Sequence, residues 1–478
     1  MNLALPHIIL YIIIPVLFMG TVLYVFLHKE KGPITDKKYQ VHFKLKRGKL
    51  KIDNVKRGIS IIGSAGSGKT ESVIYNLLQH FSKYSFCGII HDYKDFELTE
   101  IAYSLFKSNP NLKFYTISFD TIHYKVNPIA PRYLPNEESV NEVSKVLIQN
   151  LLEQGQSTNA TAQFFNDAVE GLLAGLIWKL RTDYPEYCTL PHVIALFQTI
   201  NTKKLVAFLS SNLTSRSMAS AFINGIESEK QTAGVKSTLA NAFKKISSQK
   251  LFMVLSKDEV PLDINNEDNL GVISIVNNPK YESVYAPIIA TIMHTVVKQM
   301  SVRNRESSFI LMEEAPTIKL LNMHRIPATL RSYDICTIYV MQDKIQNDML
   351  YGDKASKAIL SNLSYQFFGK VNDPDTAKYY ERFFEIVKMK TTSVNKGINL
   401  NFDTRITEGE KEVSKRRADV FFRLRQGEFV VFADGNDRKV EFELQVIVKS
   451  LPRVPRVCSK EEIKLLVDQI YRCVVLNI

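Results

Sequence analysis

Eight consecutive residues, Gly63-Ser64-Ala65-Gly66-Ser67-Gly68-Lys69-Thr70, have the makings of a polyanion cradle. Glycines let a backbone curl so that its N–H groups face inward, and a helix starting there adds the positive end of its dipole. In the spacing GxxxxGK[ST], the lysine reaches the β- and γ-phosphates of a nucleotide and the hydroxyl takes Mg²⁺. Lys69 and Thr70 hold those two positions. The chemistry requires a strand before the loop and a helix after it. Residues 58–62 are apolar enough for the strand, and Val73, Leu77 and Leu78 recur at helical spacing.

A second group of residues poses a charge problem. In SFILMEEAPTI (308–318) four apolar residues run straight into Glu313 and Glu314. A buried strand that ends on adjacent acids needs something to share their charge. A hydrated Mg²⁺ is such a partner, with Glu313 holding the metal through water and Glu314 acting as base on an attacking water. On that assignment this strand lies next to the strand that feeds the glycine loop. The bland alternative is a helix N-terminus collecting acids, which Glu314-Ala315-Pro316 would also suit. Gln342 ends the following apolar run, where it could sense the γ-phosphate. Arg331 precedes that run and could reach a neighbour's nucleotide. Either could equally be an ordinary surface residue. His91-Asp92-Tyr93-Lys94 ends the strand after the loop's helix, on the edge facing the crevice of a doubly wound sheet. Asp92 and Lys94 there either approach phosphate or a neighbouring subunit, or serve as a capping acid and a solvated cation.

These groups need elements to position them. Strand-like runs at 58–62, 86–91 and 113–118 alternate with helical periodicity, which implies an α/β fold with a parallel-rich central sheet of the P-loop NTPase kind. From 134 to 250 strand signals vanish, and VNEVSKVLIQNLL, FFNDAVEGLLAGLIWKL and LPHVIALFQTI read as helices. Strands return at 270–276, 308–312, 335–341 and 365–370, with a late one in GEFVVFADG. The stretch 388–417 is rich in Lys, Arg, Ser and Thr and reads as a loop. The expected organisation is an anchor and linker (1–36), the first part of a nucleotide-binding domain with the P-loop (37–133), and an all-α insertion domain (134–250). The second part of the nucleotide-binding domain (251–450) and a C-terminal tail (451–478) complete it.

The chain has 478 residues, 45% hydrophobic and 23% charged, which is globular composition sized for two or three domains. Its formal net charge of +12 favours a polyanionic partner, nucleic acid or an anionic membrane face. Five scattered cysteines without a CxxC pair argue against a disulfide framework and a zinc site. Residues 5–27 carry no Asp, Glu, Lys or Arg and are long enough to cross roughly 30 Å of hydrocarbon, with Lys29, Lys31, Lys37 and Lys38 behind them. That reads as a single transmembrane helix with the body of the protein in the cytoplasm. VHFKLK and KLKID around Arg47-Gly48 read as a basic hairpin.

Together these pieces resemble the coupling-protein ATPases of type IV secretion and conjugation. The resemblance rests on the N-terminal apolar span, GSAGSGKT, the Asp92-Tyr93-Lys94 strand end, Asn127-Pro128, the helical insertion, LMEEAPTI, TLRSYDICTIYVMQD and NDPDTAKYY (372–380). It implies a RecA-like sheet domain, ATP and Mg²⁺ as cofactors, a homo-hexameric ring in the bacterial inner membrane, and a relaxase–DNA complex delivered to a type IV secretion channel. Single-stranded DNA would be gripped through its phosphates without reading sequence. Lys388, Lys390, Lys396, Lys415, Arg416 and Arg417 are candidates for that grip. Three departures stand out. Glu313 replaces the usual metal-side Asp, one span replaces the common two, and Tyr93 and Asp95 stand where the family commonly has Pro and Gly. A nucleotide-gated adaptor with little hydrolysis and a chromosomal DNA translocase are the rival readings.

Overall fold

The structure is a computed structural model that describes residues 13–27, 36–152, 160–396, 404–452 and 458–478. The chain divides into two compact units, residues 1–40 and 41–478. In the first, Ile14–Leu27 form a helix of 14 residues, about 21 Å long at 1.5 Å per residue. Among the described residues no helix is long and apolar enough to cross a membrane. Residues 5–12 of the expected span lie outside the described residues, as do Lys29 and Lys31.

In the second unit, β1 (Val41–Phe43) and β2 (Leu50–Ile52) pair antiparallel as the basic hairpin. Alternation buries Val41, Phe43, Leu50 and Ile52 and turns His42 and Lys51 outward. Phe43 packs 5.3 Å, centroid to centroid, from Phe367.

The remaining core strands are β3 (Ile59–Ile62), β4 (Cys87–Asp92), β5 (Lys113–Ser118), β6 (Gly271–Val276), β7 (Ser308–Met312), β8 (Ile335–Met341) and β9 (Tyr365–Phe368). With β12 (Glu428–Ala433) and β13 (Asn436–Glu441) they form one nine-stranded sheet in the order β13-β12-β9-β3-β8-β7-β4-β6-β5. From β9 to β5 every pairing is parallel, while β12 runs antiparallel to both β9 and β13. Strands β3, β4 and β6 to β9 are buried at every residue, as near-continuous apolar runs covered on both faces should be.

The strand order corrects one expectation. β7, which carries the acids, is not next to the P-loop strand; β8 lies between them, paired with β3 on one side and β7 on the other. Order in a parallel sheet is set by crossovers, and β8, entered after β7, inserts between the two. All these strands point the same way, so Asp92 at the end of β4 and Gly63, Glu313 and Gln342 just after β3, β7 and β8 share one edge.

From Glu137 to Val254 the described residues form helices without a strand. The sequence marks their starts: Asn136, Thr189, Asn201, Asn212, Ser228 and Ser248 each accept a backbone N–H with the side chain. Residues 153–159 lie outside the described residues. The sheet then resumes at β6.

The stretch 388–417, expected as a loop, is for most of its length an antiparallel ribbon of β10 (Ile386–Lys396) and β11 (Thr404–Ser414), in register from Ile386↔Ser414 to Lys396↔Thr404. Its low apolar content was misleading, because Thr, Val and Ile alternate with Lys and Glu, which suits a ribbon that is not part of the central sheet. Residues 397–403 lie outside the described residues. Lys415 and Arg416 bind Asp437 of β13 at 2.5 and 3.3 Å, so they tie the ribbon's base to the sheet. Within 451–478, an 18-residue helix (Lys460–Asn477) opens with a capping box of Ser459 and Glu462. It buries Ile470 and Val474, and Tyr471 stacks on Phe252 and bonds Gln198 of the helical region.

Candidate nucleotide site

The glycine-rich loop leaves β3 and is strapped to its neighbours. Gly63 N donates to Met341 O (3.2 Å), Ser64 N to Lys370 O (2.7 Å), and Gly427 N to Ser67 O (3.0 Å). Gly66 and Gly68 adopt φ of +75° and +84°, a region that side chains resist. A Cβ at Gly68 would also stand 3.0 Å from Gly427 N. Ser64, Ser67 and Lys69 are buried, Thr70 is half-buried, and Ala65 and Gly66 face solvent. Thr70–Ile74 make one wide helical turn before the regular helix Tyr75–Lys83. Lys69 Nζ donates to Gly63 O at 2.5 Å, which curls the side chain back over the loop. Ser67 Oγ and Ser72 Oγ are buried without a protein hydrogen-bond partner.

Glu313 and Glu314 are each only 3% exposed. The backbone at Glu314 is left-handed (φ +44°, ψ 53°), so successive side chains leave the strand end in different directions. Glu313 accepts Tyr93 N at 3.2 Å and pairs with Lys94 Nζ at 3.3 Å. Its own backbone is fixed from both sides, Glu313 N donating to His91 O (3.2 Å) and His91 Nδ1 meeting Glu313 O at 2.8 Å. Glu314 Oε1 accepts Gln342 Nε2 at 2.9 Å.

The electrostatics join the two halves of the site. Burial pulls the Lys69 ammonium below its ordinary range, while the charges of Glu314 and Glu313 oppose that shift. Both acids are therefore within Coulombic reach of the P-loop lysine. Burial, aided by the nearby Asp92, pushes Glu313 up to about 7, and Lys94 opposes this. Burial holds His91 down at about 4, leaving a neutral imidazole beside the acids.

Of the residues read as candidates, Gly63 to Thr70, Glu313, Glu314 and Gln342 come together on one sheet edge. Lys94 joins them through Glu313. Asp92 takes its bland reading: its carboxylate accepts Thr99 Oγ1 (2.5 Å) and Thr99 N (2.7 Å) and so holds the start of the helix Glu97–Phe106. Arg331 is not brought to the site. It is exposed and precedes the N-terminal end of β8, whereas Gln342 follows the other end, about 20 Å away at ~3.3 Å per residue.

Sequence reasoning missed His91 as the clamp on Glu313, although a histidine in an otherwise apolar strand end was its signal. It also missed Tyr93, whose hydroxyl donates to Glu282 at 2.8 Å, and the Gln426-Gly427 turn against the P-loop. Tyr93, Glu282, Glu314, Thr317, Gln342 and Gln346 line an open cleft of about 410 Å³.

The residues fit a Mg²⁺–triphosphate. The turn at Gly68 has no space for a Cβ, buried hydroxyls lack protein partners, and two buried acids act electrostatically on a buried lysine. The chemistry of the donor set is carboxylate and hydroxyl, which suits a hard cation.

Among curated proteins no sequence matches the chain. Solved structures do share its fold. The unbound monoclinic form of the bacterial conjugative coupling protein TrwBdeltaN70 aligns with TM-score 0.67 at 13% identity, over 86% of this chain and 90% of that one. TrwB in complex with ADP and Mg²⁺ aligns with TM-score 0.65 at 13% identity, over 84% and 88%. VirB4 of Thermoanaerobacter pseudethanolicus aligns with TM-score 0.52 at 14% identity, over 84% and 96%. A sequence model of the family described as type IV secretory system conjugative DNA transfer matches residues 25–436, and the chain belongs to that family.

Proposed function

We propose that the chain is a membrane-anchored P-loop ATPase that couples relaxase-bound DNA to a type IV secretion channel and drives its transfer. The observation that carries this reading is the buried acid pair on the P-loop edge, with Gln342 between loop and acids and bonded to Glu314. The amides of Gly63 to Thr70 would cradle the phosphates of ATP, with Lys69 turning from Gly63 O to the β- and γ-phosphates. Thr70 and, through water, Glu313 would hold Mg²⁺, which would supply charge neutralisation for the phosphoryl oxygens. Glu314 would take the proton of the attacking water while Gln342 holds the carboxylate in place and reads the γ-phosphate. His91 keeps the acid pair at its station by fixing the backbone of Glu313. Arg331, remote from its own site, would act only on the nucleotide of a neighbouring copy, which accords with a homo-hexameric ring.

The conjugative DNA-transfer family and the +12 net charge support DNA as the polyanion. Residues 5–27 support a single-pass anchor in the bacterial inner membrane with the main body in the cytoplasm. Complexes of TrwB with a non-hydrolysable ATP analogue and with ADP and Mg²⁺ support the cofactors.

Lys69→Ala should abolish ATP turnover, with and without single-stranded DNA, while the folded chain remains. Unchanged turnover would overturn the assignment. A nucleotide-gated adaptor is the second reading, favoured by the engagement of both carboxylates by Lys94 and Gln342. Tight ATP binding with no turnover, even with DNA, would select it.

A further inference from the structure

Among the described residues the Lys94 side chain has one ion-pair partner, Glu313. Its Nζ stands 3.3 Å from Glu313 Oε1, and the other carboxylate oxygen is taken by Tyr93 N at 3.2 Å. The Lys94 side chain is 39% exposed while that of Glu313 is 4% exposed, so the lysine can swing to solvent and the acid cannot. The backbone after Lys94 is unusual. Asp95 and Phe96 both adopt left-handed conformations (φ +50° and +73°) without being glycine. Such residues cost energy and cluster where a segment changes state. Asp95 N bonding to Asn277 O (3.2 Å) and Asp92 accepting from Lys94 N and Thr99 hold the turn against that cost.

We propose that the Lys94–Glu313 pair and a hydrated divalent cation on Glu313 exclude one another, so that Lys94 is the positioning residue that sets how readily the site takes up metal. This rests on the assignment of Glu313 to the metal side of the nucleotide site. An ammonium and a divalent cation on the same small carboxylate repel at close range in a poorly solvated pocket. When the cation is held, the Lys94 ammonium leaves Oε1 for solvent, while the turn that carries it stays held through Asn277 and Asp92. Glu313 in place of a shorter acid suits this arrangement, because the longer side chain reaches the backbone N–H and the lysine of the neighbouring strand end.

The test measures binding of a fluorescent, non-hydrolysable ATP analogue while Mg²⁺ is titrated, with no turnover involved. Lys94→Met should lower the half-saturating Mg²⁺ concentration about tenfold, the scale of coupling between two linked sites. Binding of the analogue in EDTA should be unchanged. Lys94→Arg, which keeps the charge, should stay near the wild type. Lys280→Met removes a like charge from the same sheet edge without touching Glu313 and should also leave the Mg²⁺ requirement in place. An unchanged or raised requirement in Lys94→Met, in protein with wild-type thermal unfolding, would overturn the proposal. A fall as large in Lys280→Met would reduce the effect to through-space charge and would overturn it too. Should Lys94→Met unfold, Lys94→Gln gives the same reading. If the wild type fails to bind the analogue and Lys69→Ala changes nothing, the nucleotide assignment itself has failed, which is a separate outcome.

Discussion

At the scale of single residues, the site separates two adjacent glutamates by environment. Glu313 is fixed by a backbone N–H and Lys94, whereas Glu314 has the Gln342 amide and opens onto the cleft. Glu314→Gln keeps an acceptor for Gln342 but removes the base. Turnover should fall by about 10²–10⁴-fold with nucleotide affinity nearly intact, measured by steady-state ATPase kinetics against analogue binding. A second residue-scale expectation concerns His192, buried, bonded to Thr189 Oγ1 at 2.7 Å, and held by burial at about 4. Between pH 6.5 and 4 the unfolded chain binds a proton that the folded one refuses. This stability is therefore present above 6.5 and lost as pH falls. His192→Gln should flatten the slope of unfolding free energy against pH in that window by about 1.4 kcal/mol per unit, measured by urea unfolding.

At the scale of elements, the sheet's tolerance is set by close approaches between strands. Gly88 in β4 pairs with Phe309 in β7, and a Cβ there would stand 2.4 Å from the Phe309 ring. That ring is itself stacked on Phe81 at 4.6 Å. Gly88→Ala should destabilise the protein by about 1–3 kcal/mol through overpacking, measured by thermal or urea unfolding. Adding Phe309→Leu should restore part of the loss, because the strain is pairwise; additive losses would exclude this contact as the cause. The same strands carry Asp92 and Glu313, so their spacing is also the spacing of the site.

At the scale of the whole molecule, a basic chain of a DNA-transfer family should hold DNA through phosphates. Binding of single-stranded DNA should weaken with salt, log K falling against log salt with a slope of about −0.7 per phosphate contacted. Fluorescence anisotropy across a salt series checks this, and a slope near zero would remove the phosphate grip. Two of the basic residues read as candidates for that grip, Lys415 and Arg416, are instead engaged by Asp437. The C-terminal helix returns to the helical region, burying Ile470 and Val474 and placing Tyr471 against Phe252 and Gln198.

The sequence by itself determined the glycine cradle, the acid pair, Gln342 and most of the strands. Each of these is local: a motif, a period, or a charge at the end of an apolar run. Only the tertiary structure decided that β8 stands between the loop and the acids, that Lys94 pairs with Glu313 while Asp92 holds the start of the next helix, and that Arg331 lies at the far edge. It also turned an expected loop into the ribbon β10–β11. Strand order and the Lys94–Glu313 pair rest on contacts between segments far apart in the chain, fixed by crossover direction and packing, which leave no periodic trace, whereas the ribbon pairs residues 8 to 28 positions apart and was hidden by its low apolar content.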